Sequence, residues 1–279
     1  MNQNFNDVYS NSIEKPEDFW KKVSEDIFWY KKPSKILNSS NPPFYKWYED
    51  GVTNTCYNAL DVHIDNGRGE KVALIYDSPI TNSKSKFTYI QLREKVSKFA
   101  GALQNQGVKK GDRVIIYMPM IPEAVIGMLA CARIGAIHSV VFGGFASNEL
   151  ASRIDDSKAK VLLTASCGFE PGKTVHYKPL VDEALKLASH KIEKLILFQR
   201  PDNEVKLNKP LEISWEEALS SGKNTDCVEM SSNEFAYILY TSGTTGVPKG
   251  IVRDIGGHIA ALKWTMKNIY NIDQDDVWW

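Results

Sequence analysis

From residue 72 onward, short apolar segments alternate with longer segments of helical period. The apolar segments predict strands at residues 72–76, 113–118, 137–142, 160–165, 194–198 and 234–240. The intervening patterns predict helices at residues 88–106, 122–134, 148–156, 179–188, 214–220 and 256–270. Strands separated by helices favour an α/β fold, with a mostly parallel sheet covered by helices. In such a fold, ligands bind outside the carboxyl ends of the strands.

The first 70 residues follow a different pattern, which predicts an N-terminal region (1–70) ahead of a larger domain (71–279). Phe19, Val23 and Ile27 recur at helical spacing after Pro16, a residue suited to a first helical turn, and predict a helix over residues 16–30. Residues 38–58 are rich in Asn, Pro, Trp and Tyr without a clear period. They predict an irregular aromatic arm wrapped around the main body.

The composition excludes several classes of protein. The 279 residues are 43% hydrophobic and 24% charged, with a formal net charge of +0, as in ordinary globular proteins rather than disordered ones. No basic stripe is visible, so a nucleic-acid partner is not expected. The longest uncharged stretch, residues 134–148, is too short and too interrupted by glycine to span a bilayer, and no membrane partner is expected.

The N-terminus and the cysteines bear on the cellular compartment. The first residues carry neither an apolar signal segment nor an Arg-rich presequence, which favours the cytoplasm, with the mitochondrial matrix as the alternative in a eukaryote. Cys56, Cys131, Cys167 and Cys227 form no C-x-x-C pair. They predict isolated buried thiols in a reducing compartment rather than a zinc site or a disulfide framework.

The strongest chemical signal is residues 240–250, directly after the last predicted strand. The segment holds three glycines, four serine or threonine hydroxyls and one lysine. Glycines allow backbone N–H groups to turn toward an anion, and a lysine adds a mobile positive charge, so the segment suits a polyphosphate. It is not a Walker A loop, because Pro248 occupies the position of the second glycine. It is not a nucleophile elbow either, because Tyr240 replaces the first glycine; a flexible surface turn is the less favoured alternative.

This segment closely resembles the phosphate-binding signature of the adenylate-forming (AMP-binding) superfamily. Residues 113–119, 130–135 and 140–145 are similar in order and spacing to the short-chain acyl-CoA synthetases, as is the aromatic N-terminal arm. Residues 168–173 and 252–258 resemble propionyl-CoA synthetases more than acetyl-CoA synthetases. Lys173 stands where the propionate family usually has arginine, and it keeps the positive charge but not the bidentate fork.

The resemblance implies the N-terminal part of a large adenylate-forming domain and a two-step ligation. A short carboxylate, propionate or acetate, attacks the α-phosphorus of MgATP, and the thiol of CoA then displaces AMP. The ATP phosphates would be held by Thr241, Ser242, Gly243, Thr244, Thr245, Gly246 and Lys249, of which Lys249 is the predicted catalytic residue. The CoA nucleotide would be lined by Gly143, Gly144, Glu170, Pro171, Gly172 and Lys173.

Some of these residues also have a purely structural explanation. Gly143 and Gly144 are equally well explained as a tight strand-to-helix turn. Arg253 and His258 would support the floor of the active site. The resemblance places the magnesium ligand and the C-terminal catalytic lysine after Trp279, so no metal ligand is predicted in this sequence and the piece alone is expected to be inactive.

Two functions therefore remain open at the level of sequence. One is an acid–thiol ligase represented by its N-terminal portion. The other is a non-catalytic remnant that binds nucleotide or CoA without turnover. The sequence determines neither the preferred acyl chain length nor the oligomeric state.

Overall fold

The computed structural model of the chain describes residues 5–201, 203–241 and 248–279. The α-helices are α1 (Phe5–Glu14), α2 (Pro16–Ser24), α3 (Tyr89–Asn105), α4 (Pro122–Arg133), α5 (Ser147–Ser157), α6 (Tyr177–Leu187), α7 (Trp215–Ser221) and α8 (Gly256–Asn268). The strands are β1 (Leu37–Asn38), β2 (Lys46–Trp47), β3 (Val52–Thr53), β4 (Val72–Ser78), β5 (Ser83–Thr88), β6 (Arg113–Met118), β7 (Ile137–Phe142), β8 (Val161–Ala165), β9 (Cys167–Glu170), β10 (Lys173–His176), β11 (Lys194–Phe198), β12 (Glu212–Ser214), β13 (Met230–Ser231), β14 (Phe235–Thr241) and β15 (Lys249–Asp254).

A seven-stranded sheet in the order β12–β11–β8–β6–β7–β14–β15 forms the centre of the molecule. Its neighbouring strands are parallel except for β15, which pairs antiparallel with β14. All five residues of β8 are buried, and so are five of the six in β6. Strands buried on both faces are expected where helices cover a parallel sheet on both sides. The predicted α/β fold with a mostly parallel sheet is confirmed.

The main elements begin and end where local signals place them. The predicted bounds of β6, β7 and β11 are confirmed to the residue. Helix α3 begins after Thr88, whose side chain accepts from the Gln91 N–H, while the Gln91 side chain accepts from the Thr88 N–H. This reciprocal capping satisfies two N–H groups that an isolated helix end leaves unpaired. Ser214 caps α7 in the predicted way, by accepting from the Glu217 N–H.

The N-terminal region departs from the predicted single helix. A helix, α1, precedes Pro16, and α2 ends at Ser24 rather than continuing to residue 30. The Ser24 carbonyl accepts from the Trp29 indole at 2.9 Å, and the Tyr30 N–H donates to the Val52 carbonyl. Tertiary partners therefore replace the next helical turn, although the apolar spacing continues through it.

The predicted aromatic arm is more regular than the sequence indicates. It contains the short strands β1, β2 and β3, and it leads into two π-helical segments, Tyr57–Asp61 and Ile64–Arg68. The prediction also missed four strands that belong to antiparallel hairpins, namely β5, β9, β10 and β15.

The cysteines are not all isolated. Cys56, Cys131 and Cys167 are buried, whereas Cys227 is only partly buried. The Cys56 and Cys227 sulfurs lie within 4.8 Å of each other, so the prediction of isolated buried thiols is wrong for this pair. Residues far apart in sequence meet here because the aromatic arm packs against the segment that precedes β13.

None of the helices in the described part of the chain is both long and apolar enough to cross a membrane.

Candidate functional site

The carboxyl edge of the central sheet gathers the predicted site residues. The chain passes from β6 to its neighbour β7, then crosses to β8 on the opposite side of β6. Such a reversal of strand order opens a crevice at the carboxyl ends of the strands. The turns that follow β7, β8 and β14 all begin at this edge, because those strands run parallel.

Gly143 and Gly144 form the turn between β7 and α5. The Gly144 N–H points at the Tyr117 hydroxyl oxygen at 3.4 Å, and this hydroxyl donates to the Phe145 carbonyl at 2.8 Å. Gly144 has a φ of +106°, a value that L side chains rarely adopt. A Cβ on Gly143 would lie 2.2 Å from the Tyr177 hydroxyl oxygen. Both glycines thus have a structural reason at a tight turn, and their role toward CoA stays a prediction.

The predicted stretch 170–173 is the tip of the hairpin β9–β10. Glu170 pairs with Lys173 in the strand register, and Pro171 and Gly172 form the two-residue turn between them. Gly172 has a φ of +76°, as the position after proline requires in a type II turn. The Lys173 ammonium lies 2.9 Å from a Glu170 carboxylate oxygen, and both side chains are exposed. A Cβ on Gly144 would be 4.0 Å from Glu170 Oε1, so the hairpin tip and the β7–α5 turn form one surface.

Thr241 and Lys249 face each other at the end of the hairpin β14–β15. They are cross-strand partners in its register, and both are exposed. Among the residues that the structure describes, none forms an ion pair or hydrogen bond with the Lys249 ammonium. Ser242, Gly243, Thr244, Thr245 and Gly246, which were predicted to hold the ATP phosphates, lie outside the described residues.

Arg153 of α5 connects these two groups of residues. Its guanidinium lies 5.3 Å from the centre of the Tyr240 ring and 5.1 Å from that of the Phe145 ring. Tyr240 precedes Thr241, and its hydroxyl donates to an Asp156 carboxylate oxygen at 2.6 Å. Burial, followed by this hydrogen bond, raises the pKa of Tyr240 well above its usual range. The phenol therefore remains a donor that ties the hairpin β14–β15 to α5.

Sequence reasoning missed Tyr117, Tyr177 and Arg200 at this edge. Burial raises the pKa of Tyr177 to about 12, so its hydroxyl stays protonated beside Gly143 and Gly168. The Arg200 guanidinium lies 5.0 Å from the centre of the Phe169 ring, and its Nε has no hydrogen-bond partner in the described part of the chain. In the sequence, Arg200 could have been found only by its position just after β11, at the carboxyl edge of the sheet.

The predicted floor residues Arg253 and His258 lie on β15 and α8. The His258 ring nitrogen Nε2 and the Tyr237 hydroxyl form a hydrogen bond of 2.9 Å. Burial, and then the Arg253 charge, lowers the pKa of His258 and favours the neutral imidazole. This bond connects β14 to the helix that follows the hairpin, so its position is explained by packing.

Within the described ranges, one group of residues offers three potential metal ligands. It consists of Cys56, Asp61 and Cys227 and is therefore not composed of the predicted site residues. Magnesium prefers oxygen ligands, so the two sulfurs do not suit it. This group of three is therefore not a candidate magnesium site.

Comparisons with known proteins identify relatives that agree with the resemblance found in the sequence. The chain is 52% identical over 272 residues to "Acyl-CoA synthetase short-chain family member 3, mitochondrial" of Homo sapiens, which covers 97% of this chain and 40% of the relative. It is 40% identical over 280 residues to "Acetyl-coenzyme A synthetase" of Xylella fastidiosa, covering 98% of this chain and 43% of the relative. The chain thus spans less than half the length of these curated relatives.

A solved structure supports the fold. The acetoacetyl-CoA synthetase from Streptomyces lividans matches with a TM-score of 0.89 at 24% identity, covering 98% of this chain and 42% of that one. The family model "Acetyl-coenzyme A synthetase N-terminus" matches residues 5–59, and the model "AMP-binding enzyme" matches residues 62–279. The resemblance to short-chain acyl-CoA synthetases is confirmed, and the chain belongs to the AMP-binding enzyme family.

Proposed function

We propose that this chain is the N-terminal part of an enzyme that ligates a short carboxylate to CoA through an acyl-adenylate, using ATP, Mg²⁺ and CoA. The observation that carries the proposal is the pairing of Thr241 with Lys249 at the carboxyl edge of the sheet. It presents a hydroxyl and an ammonium, which no described residue pairs with, at the two ends of the segment that resembles the phosphate-binding signature.

The first step requires charge neutralisation. A carboxylate and a triphosphate are both anions, so bringing them together at phosphorus is opposed by their mutual repulsion. A fixed positive charge near the phosphates lowers this barrier most when no protein anion competes for it. Within the described ranges no carboxylate pairs with Lys249, and the hydroxyls and N–H groups of residues 241–246 are proposed to complete the phosphate contacts.

The second step needs the CoA thiol to reach the adenylate. The surface formed by Gly143, Gly144 and the hairpin tip Glu170–Lys173 is proposed to bind the nucleotide end of CoA. Its exposed lysine and glycine turns suit a phosphate and a close backbone approach. Arg200 adds a second positive charge to the same edge of the sheet.

Propionate is the proposed substrate, with acetate as the alternative. The preference is supported by residues 168–173 and 252–258, which resemble propionyl-CoA synthetases. We also propose residues 1–70 as an N-terminal region and residues 71–279 as part of the AMP-binding domain. The cytoplasm is the proposed location; the mitochondrial matrix is the alternative, supported by the name of the human relative.

Carboxylate-dependent exchange of labelled pyrophosphate into ATP tests this function, because it reports adenylation without requiring CoA. The protein that carries this chain should catalyse exchange with propionate, more slowly with acetate, and not without a carboxylate. Tight binding of ATP or CoA without exchange would support the non-catalytic remnant instead. Rapid exchange by the 279-residue polypeptide alone would contradict the expected need for a further domain.

A further inference from the structure

Four side chains meet in a cluster away from the carboxyl edge of the sheet. Its members are Cys56, Asp61, Arg133 and Cys227, and they come from the aromatic arm, the following π-helical segment, the end of α4 and the segment before β13. The two sulfurs and an Asp61 oxygen all lie within 4.8 Å of one another. Cys56 is fully buried, whereas Cys227 is partly exposed.

The backbone on both sides of the sulfur pair is fixed by hydrogen bonds. The Asn54 side-chain amide donates to the carbonyls of Ala132 at 3.0 Å and Val228 at 2.9 Å. Its oxygen accepts from the Cys56 N–H at 2.8 Å, and the Val228 N–H donates to the Arg133 carbonyl at 2.9 Å. These hydrogen bonds hold the backbone at Cys56 and next to Cys227, while the two sulfurs lie within 4.8 Å of each other.

The neighbouring charges favour a dithiol over a metal site. The Arg133 guanidinium donates to both Asp61 carboxylate oxygens, at 2.8 and 3.0 Å, and so occupies the only oxygen ligand of the cluster. One of its nitrogens also lies 3.5 Å from the Cys56 sulfur. A divalent cation placed between the sulfurs would be repelled by this guanidinium and would have to displace it from Asp61.

We propose that Cys56 and Cys227 are a reversible modification site that closes to an intramolecular disulfide when the protein meets the simplest hydroperoxide, hydrogen peroxide. One thiol sulfur attacks a peroxide oxygen; the O–O bond breaks, and the leaving hydroxide takes the thiol proton to form water. The resulting sulfenic acid is attacked by the second sulfur; the S–O bond breaks, and a second water leaves with the second thiol proton. Two thiols are oxidised, and one hydroperoxide is reduced.

The surroundings of the pair indicate which sulfur reacts and how fast. Cys227 is the less buried residue of the pair, so we expect it to meet the peroxide and Cys56 to resolve the sulfenic acid. The hydrogen bond with Cys56, followed by burial, raises the pKa of Cys227 above its usual range. A thiol that is rarely ionised reacts slowly with peroxide. Oxidation is therefore expected to be slower than that of a thiol with an ordinary pKa.

The disulfide would join two parts of the chain that the family models separate. Cys56 lies in the region matched by the acetyl-coenzyme A synthetase N-terminus, and Cys227 lies in the AMP-binding region shortly before β14. The bond would close a long loop, which restricts the unfolded chain more strongly than a short loop does. Oxidation is therefore expected to stabilise the attachment of the aromatic arm to the sheet.

The test is to map the thiols of the purified protein before and after treatment with hydrogen peroxide. After alkylation and digestion without reductant, we expect a linked peptide pair that contains Cys56 and Cys227. Of the four thiols within these 279 residues, we expect two to be lost, and dithiothreitol to restore both. The Tm of the oxidised protein should rise by about 5 °C or more, since each kcal/mol corresponds to about 2–4 °C for a chain of comparable size.

Matched cysteine variants complete the design. Cys227→Ser, at a partly exposed position, should fold, yield no linked peptide and lose the rise in Tm. Cys131→Ala, which removes a buried thiol outside the cluster, should still form the disulfide. Two outcomes would overturn the proposal: alkylation of both cysteines after complete peroxide treatment, and stoichiometric Zn²⁺ binding by the reduced protein that protects both thiols.

Discussion

Two hairpins at the carboxyl edge each carry a lysine at their end, but the charges of these lysines have different surroundings. In β9–β10, Lys173 stands opposite Glu170 and lies 2.9 Å from its carboxylate. In β14–β15, Lys249 stands opposite Thr241, a residue without charge. Among the described residues, the lysine opposite a glutamate has an ion-pair partner and the lysine opposite a threonine has none.

The compensation at Lys173 is weak enough to be exchanged. An exposed ion pair contributes about 0–1 kcal/mol, because water screens it and two long side chains must be ordered. A phosphate arriving at the hairpin tip can take the place of Glu170 at little cost. Lys249 has no carboxylate to exchange among the residues whose structure is described, which makes it the better candidate for a charge that must be present throughout a reaction.

The largest expected effect is at Lys249. If its ammonium neutralises the ATP phosphates during adenylation, Lys249→Ala should lower the rate of carboxylate-dependent pyrophosphate exchange about 100-fold, the usual effect of removing one preorganised charge-stabilising group. Lys173→Ala should change the exchange rate by less than about threefold, because this half-reaction does not involve CoA. Equal losses in the two variants would show that the proposed difference between the hairpins is wrong.

The sequence predicted the buried strands better than the hairpins. Strands β6 and β11 are largely apolar and buried on both faces, and β7 buries alternate residues, so burial explains much of their composition. Strand β15 is exposed and alternates charged, small and branched residues, so only its pairing with β14 makes it a strand. The pair Pro171–Gly172 is a turn signal, but it was interpreted as part of a binding stretch.

The candidate site was predictable only where a contiguous motif carries it. Lys249 and Gly143 belong to stretches with recognisable composition. Tyr177 was not predictable, because its contact with Gly143 depends on how α6 packs against the β7–α5 turn. The approach of Cys56 to Cys227 has no signature in their spacing, since it requires the complete fold.

The next largest effect is expected at Gly143. This residue lies in the β7–α5 turn, next to the hairpin β9–β10 that carries the Glu170–Lys173 ion pair. Gly143→Ala would place a Cβ 2.2 Å from the Tyr177 hydroxyl oxygen and 3.1 Å from the Met118 carbonyl oxygen. Overpacking of this kind costs about 1–3 kcal/mol, so the Tm should fall by about 5 °C. The Gly143→Ala/Tyr177→Phe double variant should recover part of the loss, because the closer contact is gone. The absence of any recovery would locate the strain in the backbone contact instead.

A smaller effect is expected from removing the Glu170 carboxylate that pairs with Lys173. Glu170→Gln removes the competing carboxylate and keeps its size, so the KM for CoA should fall, by no more than about fivefold, as expected for an exposed ion pair. Lys173→Ala should raise the KM for CoA by a similar factor and leave the KM for ATP unchanged. An increase in the KM for CoA in Glu170→Gln would mean that the carboxylate itself contacts CoA, in contradiction to the role inferred from the comparison.

The smallest effect is expected at Tyr240, whose hydroxyl connects the hairpin β14–β15 to α5. Tyr240→Phe removes the hydrogen bond to Asp156, and the exposed carboxylate can return to water, so the free energy of unfolding should fall by about 0.5–1.5 kcal/mol in urea titrations. The raised pKa of Tyr240 adds a pH test. Above the ordinary pKa of tyrosine, the unfolded chain releases this proton first, so stability falls as the pH rises. The Phe variant should therefore lose less stability at high pH, and an unchanged slope would assign the alkaline loss to other groups.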